Sequence, residues 1–430
     1  MSSTRIPLGR AHRLASSISK EFWASGAHIL SLSPVGSLRR YASDVGDVSL
    51  LATGEAPALP ALIDAFAKLR SVRRVTRRTP HSVTVGTDSG DVTLHVADRA
   101  SAGAALVCLT GSPAHVTKLT AMAAAQRLSL APGRLLDATG AVVACETEQD
   151  FYERLSLPFI APELRDSGDE IETAAEGRLP ALLTDLHIRG DLHMHTSWSD
   201  GRDSVEDMVC AARELGYEYV AITDHSQRAA AARTLSPSDV DHQRAEIQRA
   251  RQRQPSVQIL HGLEVEILKD GTLDFDDGVL AGFDIILASL HDHGGQPAGE
   301  LTKRYLAALD SPFVDVITHP ANRSPGDSQG YEVDFDRIFE AARQTGTALE
   351  VDGAPGHLDM DGALARRAAA AGVTIVVDSD SHRADALGRQ MRFGIGTARR
   401  GWLEPKHVLN TRGIDEIRAF IARQRARSRS

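Results

Sequence analysis

The sequence predicts an α/β protein in two parts: a parallel α/β domain over its second half, preceded by an α+β region. Three observations point there. From about Leu186 onward, short apolar runs of strand length alternate with amphipathic helical stretches, the order of a parallel sheet wrapped by helices. Seven of those runs close on a residue able to bind a metal or carry a proton. Before that boundary the period changes. Ser82-Val-Thr-Val and Val92-Thr-Leu-His-Val alternate with period two, as strands of one antiparallel sheet do.

The elements follow in order. A first helix is expected from about Gly9 to Trp23. Val35-Gly-Ser-Leu-Arg-Arg reads as a tight turn, and Val45-Gly-Asp-Val-Ser-Leu-Leu-Ala as the strand after it. Pro60 to Arg70 and Ser112 to Leu128 have helical spacing; residues 146–182 are helical or irregular, broken by Pro158, Pro162 and Pro180. The expected divisions are 1–111, 112–185 and 186–430. In the last part, Ser204 and Asp207 form a capping box, and Met208, Ala211, Ala212 and Leu215 an apolar stripe.

Hydrophobic residues make up 42% and charged residues 24% of the 430, which excludes a disordered chain. Cys108, Cys145 and Cys210 are far apart with no C-x-x-C pair, against a disulfide framework or zinc finger. Neither a signal-peptide core nor an apolar run near the ~20 residues of a membrane span is present. A cytoplasmic protein without a membrane partner is expected; the oligomeric state is not legible. The net charge of −9 is uneven, because residues 1–110 hold 13 Lys and Arg against 8 Asp and Glu. Arg70, Arg73, Arg74, Arg77 and Arg78 cluster, and the tail repeats Arg423, Arg425, Arg427 and Arg429. Such patches suit a polyanion such as DNA; a solvated surface is the alternative.

The seven strand ends carry the chemistry. They are Gly190-Asp-Leu-His-Met-His, Val220-Ala-Ile-Thr-Asp-His, Ile259-Leu-His-Gly-Leu-Glu, Ile285-Ile-Leu-Ala-Ser-Leu-His, Val314-Asp-Val-Ile-Thr-His-Pro, Ala348-Leu-Glu-Val-Asp and Ile375-Val-Val-Asp-Ser-Asp-Ser-His. In a β/α barrel the carboxyl ends of the strands converge on one face. His193, His195, His225, Glu264, His291, His319, Asp380 and His382 would meet there. Imidazole and carboxylate suit Zn²⁺, Mn²⁺ or Fe²⁺. Residues i and i+2 of an extended segment share a side, so His193 with His195, and Asp380 with His382, can each face one ion. Glu264 has two oxygens and can bridge two. One H-x-H pair alone would fit a polar rim; eight such residues without a cation would be costly to bury.

Asp191-Leu-His-Met-His-Thr-Ser-Trp-Ser-Asp-Gly resembles the opening motif of the PHP (polymerase and histidinol phosphatase) superfamily. Thr223-Asp-His-Ser, Gly262-Leu-Glu-Val-Glu, Ser289-Leu-His, Thr318-His-Pro and Asp378-Ser-Asp-Ser-His resemble its later motifs, in order. The resemblance implies a distorted seven-stranded PHP barrel, a phosphoesterase activity and up to three divalent ions. It assigns His193, His195, Glu264 and Asp380 to one ion; Glu264, His291 and His319 to the second; Asp200, His225 and His382 to the third. Glu264, Asp380 and His382 are the candidate catalytic residues. Arg323, then Arg304 and Arg383, are candidates to hold a substrate phosphate. His293 and Asp378 are nearby groups without a role, and His261 is expected to pack.

The first half resembles a bacterial family X DNA polymerase. Gly36-Ser-Leu-Arg-Arg with Val45-Gly-Asp-Val-Ser-Leu-Leu is similar to the palm motif, Leu109-Thr-Gly-Ser to the nucleotide-pocket turn, and Phe151-Tyr-Glu-Arg-Leu through Pro162-Glu-Leu-Arg-Asp to the segment joining thumb to PHP domain. That implies a nucleotidyltransferase-like palm over 1–111, a helical thumb over 112–185 and the PHP domain over 186–430. The palm departs from its pattern. Two-ion nucleotidyl transfer needs carboxylates where this chain has Ser49 and Thr93; only Asp47 remains. The expectation is hydrolysis without polymerisation, on DNA ends as a 3′–5′ exonuclease or phosphatase. The alternatives are a histidinol-phosphatase-like monoesterase and a metal-binding DNA-docking protein.

Overall fold

A computed structural model describes residues 5–131, 133–292 and 295–427. The chain forms two compact units, Met1–Leu179 and Pro180–Ser430. The division falls ahead of Leu186 because Leu183 already belongs to the second core: it is fully buried, and its N–H donates to Leu403 O at 2.9 Å.

In the first unit the helix Leu8–Ala24 buries Leu8, Ala11, Leu14, Ala15, Ile18 and Phe22, one face at helical spacing. Five strands follow: β1 (Ser31–Pro34), β2 (Val48–Gly54), β3 (Arg74–Thr79), β4 (Ser82–Thr87) and β5 (Gly90–Asp98). Their order is β1-β2-β5-β4-β3. β4 and β5 pair antiparallel as expected, but β2 and β5 are parallel, so the sheet is mixed. The chain crosses between them through the helix Leu59–Ala67, which buries Leu59, Leu62, Ile63 and Phe66, and through the β3–β4 hairpin. Gly36 opens one turn of helix, Gly36–Arg39, where a simple turn was expected; its φ of 69° suits a residue without a Cβ. Beyond the sheet, Ser112 caps the helix Pro113–Ala125 by accepting from His115 N, and Thr147 with Asp150 boxes the helix Glu148–Arg154. Between those helices lies a short hairpin, Ser129–Ala131 with Arg134–Leu136, that the periodicity did not signal.

The second unit holds seven parallel strands in sequence order: β6 (Gly190–Asp191), β7 (Tyr219–Ile222), β8 (Gln258–Glu266), β9 (Ile285–Ser289), β10 (Val316–Ile317), β11 (Ala348–Asp352) and β12 (Ile375–Asp378). Alternate strand residues take opposite duties. Val220, Ile222, Leu263, Val265, Ile286, Ala288, Val351 and Val377 pack in one cluster with residues of the surrounding helices. Tyr219, Ala221, Leu260, Ile285, Leu287, Val316, Ala348 and Val376 form a second cluster with Ile417, Phe420 and Ile421 of the helix Ile414–Ala426. That helix fills the amino-terminal end of the barrel with apolar side chains and leaves the carboxyl end for polar ones.

The last strand returns to the first. Met194 and Ser381 form a parallel bridge, and His195 N donates to Ser381 O at 2.9 Å. Because β6 is two residues long, buried carboxylates extend this seam. Asp378 Oδ1 accepts from Leu192 N at 2.7 Å, and Asp191 Oδ1 from Ser379 N at 3.2 Å. The capping box of Ser204 and Asp207 starts the helix Val205–Glu214. Its buried stripe is Val205, Met208, Val209 and Ala212; Ala211 is half-buried, and Leu215 is 46% exposed. Leu215 is the cap residue beyond the last turn and lies over Gly388 instead. In the tail, Arg425 donates to the carbonyls of Pro312 and Phe313, and Arg427 to that of Leu309, which ties the last helix to the barrel. Arg429 and His293 lie outside the described residues. Among the described residues no helix is long and apolar enough to cross a membrane.

Candidate metal centre

The strand ends bring the expected side chains together. His193 and His195 follow β6 in extended chain and face one way, their Nε2 atoms 3.1 Å apart. His225 follows β7 and bridges in parallel to Glu264 on β8. His291, His319, Asp380 and His382 lie just past β9, β10 and β12. His319 and Asp380 adopt φ of 29° and 47°, a left-handed backbone that costs strain and that recurs at functional sites. Asp200 comes from a loop rather than a strand. Asp224 anchors that loop by accepting from the N–H and hydroxyl groups of both Thr196 and Ser199. Gly201 lets it approach, since a Cβ there would stand 2.6 Å from the His195 carbonyl.

Glu264 is the hub. Its Oε1 lies 3.0 Å from His319 Nε2 and 3.4 Å from His291 Nε2. Its Oε2 lies 2.6 Å from His225 Nδ1 and 3.6 Å from the Nε2 atoms of His193 and His195. Asp380 Oδ1 stands 3.0 Å from His195 Nε2 and 3.5 Å from His193 Nε2. Asp200 Oδ1 is 3.2 Å from His382 Nε2 and 3.5 Å from His225 Nε2. Three ligand groups result: His193, His195 and Asp380; His225, Glu264 and His291; and His195, Asp200, His225 and His382. The structure thus draws His195 and His225 toward two groups each, where the expected sets shared Glu264 alone, and places His319 beside Glu264 but in none of these three groups.

The donor set fits divalent ions on a direct observation. His225 Nδ1 and Glu264 Oε2 approach closely, yet their geometry makes no hydrogen bond; both are buried without a hydrogen-bond partner, as is Asp200 Oδ1. Buried polar atoms are ordinarily paired, so lone pairs converging without donors mark a place for cations. Charge agrees. Burial by itself would raise the Glu264 carboxyl, but the His225 and His291 imidazoles hold it well below the usual range. Burial likewise opposes ionisation of Asp200, yet the nearby His382 and His225 rings bring it down to about 2. His195 is pushed down to about 3 by burial and by the His382 and His225 rings, so it stays neutral, the form a metal binds.

The residues that orient these ligands escaped the sequence reading. Glu350 Oε1 accepts from His193 Nδ1 at 2.7 Å, and its Oε2 accepts from His319 N at 2.8 Å and from the Thr318 hydroxyl. Glu266 Oε2 does the same for His291 Nδ1 at 2.7 Å. Carboxylates in this position fix the imidazole's tautomer and ring orientation. The signal was present: Glu264 and Glu266 share a strand face, and Glu350 lies in the middle of a segment already marked as acidic. Asp378 serves the seam, and His261 pairs with Gln243 at 2.8 Å and packs on Phe283, consistent with a packing role. Of the phosphate candidates, Arg323 is nearly buried, its Nη1 3.5 Å from Asp361. Arg304 donates to Asp292 O, Gln296 Oε1 and Ile267 O, which fastens the loop after His291. Arg383 makes a two-pronged pair with Asp385 at the surface.

A parallel seven-stranded barrel with this cluster at its carboxyl end defines a class, the metal-dependent phosphoesterase domain of PHP type, and residues 191–353 match the PHP domain family. Residues 105–166 match the DNA polymerase beta thumb family. The chain is 36% identical over 424 residues to the DNA polymerase/3'-5' exonuclease PolX of Bacillus subtilis strain 168, across 97% of this chain and 73% of that protein. It belongs to that PolX family, family X polymerases that carry a PHP domain. Its second half is also 26% identical over 250 residues to a probable phosphatase of Thermoanaerobacter sp. strain X514, and 31% identical over 217 residues to one of Shewanella oneidensis. These matches cover 54% and 46% of this chain, and 93% and 78% of the relatives.

Proposed function

We propose that the second unit removes nucleotides from DNA 3′ ends as a metal-dependent exonuclease, and that the first unit presents DNA without polymerising it. The observation that carries this is Glu264, a carboxylate with five imidazoles within 3.6 Å and a buried oxygen that no donor satisfies. His193, His195, Asp200, His225, Glu264, His291, His319, Asp380 and His382 would hold up to three Zn²⁺, Mn²⁺ or Fe²⁺ ions. Bound there, such ions supply Lewis acidity and neutralise charge on a phosphoryl group. The protein's part is orientation. Glu350 and Glu266 fix the His193 and His291 rings, Asp224 fixes the Asp200 loop, and the barrel end buries His193, His195, His225, Glu264, His319 and Asp380 while Asp200, His291 and His382 stay partly exposed. Arg323 is the first candidate for the substrate phosphate, because it lies just beyond Thr318-His-Pro and the ligand His319.

The divisions 1–111 and 112–185 are read as palm and thumb. Ser49 and Thr93 sit side by side on β2 and β5 where carboxylates would be required, which supports a palm without nucleotidyl transfer. DNA contact would fall to the exposed strand β3 with Arg74, Arg77 and Arg78, where Arg74 and Arg78 pair with Asp91 and Asp64 at the surface, rather than to Arg39, which is half-buried and bound two-pronged by Glu148. A second reading, a small-molecule phosphate monoesterase, is favoured by the likeness of the second half alone to probable phosphatases. The deciding assay gives the full chain Mn²⁺ or Zn²⁺ with end-labelled single-stranded DNA, histidinol phosphate and a chromogenic monoester. Shortening of DNA from the 3′ end is expected. Turnover of monoesters alone would transfer the assignment to the second reading, and metal-loaded protein inert on all three would overturn both.

A further inference from the structure

Two side chains beside the cluster belong to none of its three ligand groups. Asp352 ends β11 and is fully buried; its Oδ1 accepts from Ala354 N at 2.5 Å, while its Oδ2 has no hydrogen-bond partner among the described residues. His357 follows in the next loop. Its ring stacks on His319 with centroids 5.0 Å apart and planes 18° from parallel, and its Nδ1 is likewise buried without a partner. Asp352, His357 and Asp380 each present a ligand atom, all within 4.8 Å of one another. Two carboxylates buried side by side repel unless a proton or a cation lies between them. The imidazole lone pair facing the same space favours the cation, because a proton would satisfy one carboxylate and leave the nitrogen unpaired.

We propose that Asp352, His357 and Asp380 form an additional divalent-cation position, joined to the main cluster through Asp380. The inference rests on the reading of that cluster as a metal centre. Two carboxylates and one imidazole suit Mn²⁺ or Zn²⁺. The position offers one imidazole where the main groups offer two or three, so this ion is held less tightly and exchanges more readily than theirs. It would add positive charge on the His319 side of the centre, where a phosphate ester needs it.

The test is equilibrium dialysis of the full chain against graded free Mn²⁺, with metal counted by mass spectrometry. Two variants preserve shape: Asp352→Asn keeps the acceptor for Ala354 N, and His357→Phe keeps the ring against His319. Wild type should show tight equivalents plus one weaker one. Each variant should lose only the weaker equivalent, with thermal unfolding of the Mn²⁺-loaded protein otherwise unchanged. Titration curves that superimpose on wild type would overturn the additional position while leaving the cluster intact. Loss of every equivalent together would overturn it as a separate position. Wild type without bound metal would instead refute the cluster itself.

Discussion

Both units place polar side chains where strands of a central sheet converge, and they treat them in opposite ways. On β2 and β5 the Ser49 hydroxyl donates to Asp47 at 2.5 Å, and Thr93 pairs with the Thr84 hydroxyl at 3.0 Å. Each of these groups has found a neighbour, so none calls for an ion. At the carboxyl ends of β6–β12 the imidazoles and carboxylates outnumber the hydrogen bonds they can make, and Glu264 Oε2, His225 Nδ1 and Asp200 Oδ1 are left over. What distinguishes a metal site from a polar seam is this surplus of lone pairs rather than polarity itself.

The strongest challenge to the comparison is Glu264→Gln, which keeps the shape and removes the charge at the hub. Hydrolysis should fall by on the order of 10³-fold or more, with metal lost in the same preparation; full turnover with metal retained would end the hub assignment. Glu350→Gln should act more gently, since it disturbs only the orientation of His193 and the His319 backbone. A loss of ~10–100-fold in metal affinity or rate is expected, read by titrating activity with Mn²⁺; unaltered affinity would mean that Glu350 merely fills space. The smallest effect comes from reversing the contrast in the first unit. Ser49→Asp with Thr93→Asp sets three carboxylates together and should cost on the order of 1–4 kcal/mol without metal. Millimolar Mg²⁺ should recover most of that in chemical denaturation. If Mg²⁺ changes nothing, the two sheets differ by more than their side-chain inventory.

Much of this was legible in the sequence because the barrel repeats one sentence: an apolar run, a titratable end, a helix. Every strand of β6–β12 overlaps a segment marked by that rule, although β7 and β8 run past theirs. The rule names an acid or imidazole without telling what it touches, and there it ran out. Glu264 and Glu266 are two residues apart on one strand face, yet one faces the cluster and the other supports His291. Glu350 became distinguishable only once β10 and β11 were adjacent, bringing Thr318 and His193 to it. Leu215 misled because periodicity extends past a helix end that only the cap reveals. The parallel pairing of β2 with β5 was hidden for a similar reason: alternation fixes faces, not partners.

The seam that closes the barrel joins Leu192 to Asp378, 186 positions apart along the chain. His193 and His195 stand on one side of it, Asp380 and His382 on the other. A growing polypeptide therefore exposes the first pair of imidazoles long before their carboxylate counterpart has been made. Until the final strand docks, the groups that need Asp380 or His382 are incomplete, and only His225, Glu264 and His291 can assemble without it.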